Sequence, residues 1–148
     1  MDLHNLLLYN NYTISVVESC TGGLLSHEFT KYPNSSKYFI GGIIAYNKKI
    51  KNNILKVPEN VPVVSKLCAE FLVKGLKNLM DTDFYVSVTG YAGPSAPNER
   101  LIGLICYSIL YKGVFYTKKI HLKSNNRLDN NNKIIKLIKD DIIKLIYS

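Results

Sequence analysis

The sequence predicts an α/β/α sandwich, with a mixed sheet of about five strands between two helix layers. Three observations carry this expectation. Runs with helical spacing alternate with short β-branched, apolar runs along 148 residues. The last two strand-like runs meet at Lys112-Gly113, a tight turn that makes them a hairpin and breaks a purely parallel, doubly wound sheet. No Pro/Gly/Ser linker and no internal repeat divides the chain, and its length suits one domain, 1–148, with one substantial core.

The elements follow in order. Leu3 to Tyr9 reads as a short first helix and Thr13 to Val17 as the first strand. Gly22 to Lys31 reads as a helix that ends before Pro33. Tyr38 to Tyr46 is an apolar strand with a bulge expected at Gly41-Gly42, and Lys48 to Leu55 a short helix. The clearest helix is Val64 to Met80. Val64, Leu67, Cys68, Phe71, Leu72, Gly75, Leu76, Leu79 and Met80 fall on one stripe, and Ser65 is placed to cap its start. Asp83 to Val88 is a strand. Leu101 to Tyr111, almost continuously apolar, is expected to be central, and Val114 to Leu122 returns from the hairpin turn. The polar, Asn-rich stretch from Ser124 to Lys133 reads as a loop leading into a closing helix over Asn130 to Tyr147.

Composition narrows the function. Hydrophobic residues make up 47% and charged residues 20%, as in globular domains. No apolar run is long enough to span a bilayer, and the N-terminus lacks the pattern of a signal peptide, so a cytoplasmic protein is expected. Cys20, Cys68 and Cys106 have no zinc or disulfide spacing. The chain shows no ligand cluster, so neither a metal nor a cofactor is expected. The formal charge of +8 comes from lysines scattered through Asn- and Ile-rich segments. There is no basic run interleaved with stacking aromatics and no nucleic-acid-binding motif, so the charge favours anionic small molecules over nucleic acid.

Two small-residue loops follow two strands. The first, Glu18-Ser19-Cys20-Thr21-Gly22-Gly23, lies between a strand and a helix. Such a turn leaves N–H groups unpaired at the helix start, where they favour an anion or a developing oxyanion, and it presents Ser19 as a candidate nucleophile. The same hexapeptide also fits plain helix capping by Ser19 or Thr21. Cys20 reads as a small buried neighbour or a reactive thiol. The second loop is Thr89-Gly90-Tyr91-Ala92-Gly93-Pro94. Ligands in open α/β sheets bind outside the carboxyl ends of strands, so two such loops at neighbouring ends would form one pocket. Neither loop completes a phosphate-binding or dinucleotide motif. A serine nucleophile needs a base. His4, His27 and His121 have no telling spacing to it, whereas a lysine of lowered pKa would serve. Tyr46-Asn47-Lys48-Lys49-Ile50-Lys51 offers several, but also fits a solvated basic helix start, and spacing does not choose among them.

The order of motifs resembles the CinA C-terminal domain family, the nicotinamide-nucleotide amidases. Val17 to Leu25 is similar to its signature, and Asn34 to Gly42 to its Gly-Ser-Ser segment and following strand. Ala45-Tyr46-Asn47 followed by Lys51, Val64-Ser65 with Gly75, and Val88 to Pro94 followed by Gly103 are similar to later elements. The resemblance covers nearly the whole chain. It implies a stand-alone, homo-oligomeric amidase domain that hydrolyses the carboxamide of nicotinamide mononucleotide to nicotinic acid mononucleotide and ammonia.

The resemblance also implies roles. Ser19 would be the nucleophile, Lys51 the general base, and Tyr46 a residue that orients or polarises the pair. Thr21, Gly22, Gly23, Thr89, Gly90, Ala92 and Gly93 would line the pocket, and Arg127 would meet the substrate phosphate. The chain departs from the family pattern at Ser95, Ala96 and Pro97, at Asn125-Asn126 and at Asn131, where the resemblance places phosphate or ribose. Two alternatives follow: a nucleotide-binding module of the same fold without turnover, and a competence-associated protein that contacts nucleic acid.

Overall fold

A computed structural model describes residues 1–148. The elements run α1 (Leu3–Asn10), β1 (Ile14–Glu18), α2 (Leu24–Thr30), β2 (Phe39–Ile44), α3 (Lys48–Asn53), α4 (Lys66–Leu79), β3 (Phe84–Gly90), β4 (Leu104–Tyr111), β5 (Val114–His121) and α5 (Arg127–Tyr147). The five strands form one mixed sheet in the order β2-β1-β3-β4-β5. β1 pairs in parallel with β2 and β3, whereas β3–β4 and β4–β5 are antiparallel. The expected α/β fold is therefore the observed one. No helix is long and apolar enough to cross a membrane.

Strand periodicity divides the core. Ile14 and Val16 of β1 join the cluster that carries Leu25 of α2 and Ile134, Ile138 and Ile142 of α5. Val17 joins the opposite cluster, with Leu55, Val57 and the α4 residues Leu72 and Leu76. α1, α2 and α5 thus cover one face, and α4 with the chain after α3 covers the other. Gly75 explains how closely α4 approaches: a Cβ there would strike the Leu55 carbonyl.

Four expectations are corrected. The central strand is β3; β4, which starts at Leu104 and not Leu101, is one place off centre. It reads as central because it is buried along nearly its whole length between β3 and the exposed edge strand β5. The α4 stripe is rotated. Ala69 and Val73 are buried while Leu67 and Leu79 are more than half exposed, since the contact at Gly75 fixes which face meets the sheet. Val64 precedes the helix, whereas Ser65 caps it, accepting from Cys68 N–H at 3.0 Å. The last helix begins at Arg127, because Asn126 caps it by accepting from Asp129 N–H at 3.0 Å, and the Asn-rich stretch is mostly its first turns. β2 carries a register irregularity, but just before the expected Gly41-Gly42 pair: Ile14 faces Phe39 and Ser15 faces Gly41, so Ile40 is the extra residue.

Candidate active site

β1, β2 and β3 are parallel and end on the same side. From β1 the chain turns towards β2, and from β3 towards β4, so the loops after these neighbours diverge. A cleft of about 210 Å³ opens there, where open sheets bind ligands. Ser19, Tyr46, Lys51, Thr89, Gly90, Ala92 and Arg127 line it. The structure thus brings together seven of the site residues expected from sequence. Thr21, Gly22, Gly23 and Gly93 lie outside its wall.

Ser19 follows the last residue of β1 and is held by its own N–H, which donates to Val88 O on β3 at 3.1 Å. Lys51 lies in α3, which Asn47 caps by accepting from Lys49 N–H at 2.8 Å. It is the only buried residue of that helix. Lys51 Nζ donates to Ser19 Oγ at 2.9 Å and more weakly to Tyr46 O at 3.4 Å. No carboxylate pairs with it. Burial lowers its pKa from the ordinary 10.5, because the ammonium loses hydration. The nearby thiols do not reverse this. Burial pushes Cys20 up to about 12 and Cys68 up to about 11, so both are neutral near pH 7. Cys20 is a buried neighbour and not a reactive thiolate.

Tyr46 touches the pair through its backbone carbonyl, while the residue as a whole is 60% exposed at the cleft. Two threonine hydroxyls are already committed. Thr21 Oγ1 donates to Glu18 Oε1 at 2.6 Å, and Thr89 Oγ1 donates to Val63 O at 2.6 Å, tying the chain before α4 to the end of β3. None of the three histidines lines the cleft.

The expectation of free donors at the start of α2 is corrected. The N–H groups of Leu25 and Ser26 donate to the Glu18 carboxylate at 2.8 and 2.9 Å. The donors left over lie earlier in the turn: the N–H groups of Cys20, Thr21 and Gly23 meet no protein acceptor.

Sequence reasoning assigned no role to Glu18 or Asn130, and marked Asn131 only as a departure from the family pattern. The Asn130 amide donates to Ala92 O at 2.8 Å and to Ser124 O at 2.7 Å. Asn131 donates to Cys20 O at 3.5 Å, and its buried Oδ1 has no partner. Together they fasten both strand-end loops to α5. The signal available for Glu18 was an acidic residue closing an otherwise apolar strand; Asn130 sat unmarked in a polar patch.

Comparison with known proteins agrees with this architecture. "CinA-like protein" of Leptospira biflexa is 44% identical over 72% of this chain, and that of Dictyoglomus turgidum 41% over 84%. The chain spans only 27% and 32% of those two proteins. A Mycoplasma genitalium protein is 36% identical over 80% of this chain and 78% of its own length. The fold matches a competence/damage-inducible protein of Agrobacterium tumefaciens with a TM-score of 0.90 at 22% identity, covering 99% of this chain and 92% of that one. A competence or damage-inducible protein from Enterobacter asburiae gives 0.90 at 21%, covering 97% and 93%. The family model of the CinA C-terminal domain matches residues 1–144, and the chain belongs to that family.

Proposed function

We propose that this protein is a serine–lysine amidohydrolase acting on the carboxamide of nicotinamide mononucleotide. The observation that carries the reading is the buried Lys51 Nζ to Ser19 Oγ contact of 2.9 Å at the carboxyl ends of the parallel strands. With Lys51 neutral the bond runs the other way, and the serine hydroxyl donates to Nζ. Ser19 Oγ attacks the carboxamide carbon as Lys51 takes its proton. The oxyanion settles towards the unpaired N–H groups of Cys20 and Thr21. Lys51 returns the proton to the leaving nitrogen, and ammonia departs from an acyl-serine ester. Water, deprotonated by Lys51, then releases the acid and restores Ser19. The sum is amide plus water to acid plus ammonia, and no step calls on a metal or a cofactor.

The size of the cleft supports the substrate. About 210 Å³ is smaller than the ~300–1,000 Å³ of sites that enclose a drug-sized ligand. It suits a site that takes in the carboxamide ring and leaves ribose phosphate at the rim. Arg127 stands there at the first position of α5, where a cation opposes the helix dipole by about 0.3–1 kcal/mol. An anion beside it relieves that cost.

The test is incubation with nicotinamide mononucleotide. Equal amounts of ammonia and nicotinic acid mononucleotide are expected, with none from Ser19→Ala. Calorimetric binding without product would overturn turnover and favour the nucleotide-binding module. Asn131 motivates that second reading, because it is packed against Cys20 O and brings no cation to the cleft. The competence names of relatives and the +8 charge motivate a control with DNA, where nucleic-acid contact would show as binding that weakens steeply with salt.

A further inference from the structure

We infer that Glu18 is a positioning residue for the Ser19–Lys51 pair, anchoring the turn after Ser19 to α2 from the face of β1 opposite Lys51. The inference rests on the serine–lysine reading and adds a residue to it.

Alternation along β1 separates the two groups. Val16 and Glu18 point to the α2 side, Val17 and Ser19 to the α3 and α4 side. Glu18 has no exposed surface and no ion-pair partner. Its carboxylate instead accepts four hydrogen bonds: from Thr21 Oγ1 at 2.6 Å, Leu25 N–H at 2.8 Å, Ser26 N–H at 2.9 Å and Ser26 Oγ at 2.5 Å. Leu25 and Ser26 are the second and third residues of α2, whose N–H groups need a cap. The residue at the cap position is Gly23, with φ 111° and no side chain to offer, so Glu18 supplies the cap from the preceding strand. The same carboxylate pins Thr21, two residues beyond Ser19. The turn is then fixed at both ends, by Ser19 N–H on Val88 O and by Thr21 on Glu18. That fixes the direction of the Cys20 and Thr21 N–H groups and the seat of Ser19 Oγ. The groups that face Lys51 are Ser19 Oγ, Tyr46 O and the Cys20 and Cys68 thiols. A carboxylate among them would hold a proton on Lys51. Placed on the other face, Glu18 anchors the nucleophile without doing so.

The test uses Glu18→Gln in the full chain. Glutamine keeps the shape but turns an NH₂ towards one of the α2 donors. The readout is the rate of Ser19 modification by a fluorophosphonate probe from neutral to alkaline pH, beside kcat and KM for nicotinamide mononucleotide and the thermal unfolding curve. The expected result is a plateau rate lower by roughly 10- to 100-fold, as for a slightly misplaced catalytic group. The midpoint of the profile stays where it is, and kcat falls more than KM changes. A lower Tm with an unchanged plateau would make Glu18 a helix cap only and overturn the inference. A moved midpoint with an unchanged plateau would mean that Glu18 acts on the charge of Lys51, and would overturn it too. Should Glu18→Gln fail to fold, Thr21→Val with Ser26→Ala removes two of the four donors while the carboxylate stays. The same fall in plateau is expected, and a parent-like plateau overturns the inference. A parent protein that the probe does not modify at Ser19 would overturn the serine–lysine reading itself. A parent modified at the same rate as Glu18→Gln overturns the anchor alone.

Discussion

The two faces of β1 treat a buried ionisable group in opposite ways. On the α2 side the Glu18 carboxylate meets four donors. On the α3 side the Lys51 ammonium, with three donors to place, meets one hydroxyl at 2.9 Å and one carbonyl at 3.4 Å. The poorly satisfied group is the one whose pKa burial lowers from its ordinary 10.5. On the proposed reading, burial with incomplete compensation, and not burial alone, marks the reactive residue.

The largest effect that tests this contrast is loss of Ser19, the proposed nucleophile on the Lys51 face. Ser19→Ala is expected to cut amidase activity by at least ~10³-fold with little change in Tm. Substantial remaining activity would remove the meaning of the Lys51 contact. Next comes the reactive face itself. Lys51→Ala and Lys51→Arg are both expected to lose about 10²- to 10³-fold, since arginine keeps its proton. In the parent, kcat/KM should rise with pH through the lowered Lys51 pKa and then level off. An active Lys51→Arg enzyme would show that the position supplies charge and not a base.

A smaller effect separates chemistry from substrate capture. Arg127→Ala should raise KM by about 10- to 100-fold, the value of a charged hydrogen bond, with less change in kcat. Nicotinamide riboside, which has no phosphate, should be a poor substrate for both proteins and be unaffected by the change. Equal loss for the two substrates would make Arg127 a support for the fold.

The smallest effect is on stability. Folded Lys51 binds its proton less tightly than the unfolded chain does, so the unfolded state holds more protons and stability rises with pH. The cost of burial is complete below the folded pKa and fades as pH passes the ordinary 10.5. Lys51→Met should therefore unfold at a higher temperature than the parent near pH 7, with the gap closing in alkali. A gap that ignores pH would mean that Lys51 binds its proton equally tightly in the folded and unfolded chain, so that burial does not lower its pKa.

The elements and both strand-end loops were legible because period and small residues are local signals. The strand Thr13 to Val17 and the turn after it are an example. Lys51 was not legible from spacing. Its neighbours Lys48 and Lys49 look the same in sequence, and its partner lies 32 residues away, so only the family resemblance selected it. Glu18 was quoted within a motif yet given no role, since its donors belong to a helix start that the pattern shows as free. The fastening contacts of Asn130 and Asn131 were hidden for a compositional reason: an Asn-rich stretch reads as loop, whereas capping by Asn126 carries the helix through it. The α4 stripe was misjudged at Leu67 and Leu79 because helical spacing gives a period but not the phase that a close contact such as Gly75 imposes.

The fastening of both loops to α5 bears on how the domain comes into being. α5 follows every strand in the chain, so the sheet, the Ser19 turn and the Lys51 helix all leave the ribosome before the segment that staples them. Asn130 then closes on Ala92 and Asn131 on Cys20. A nascent chain can thus hold most of its core while still lacking a finished cleft. On the proposed serine–lysine reading, the cleft is complete for hydrolysis only once α5 has docked.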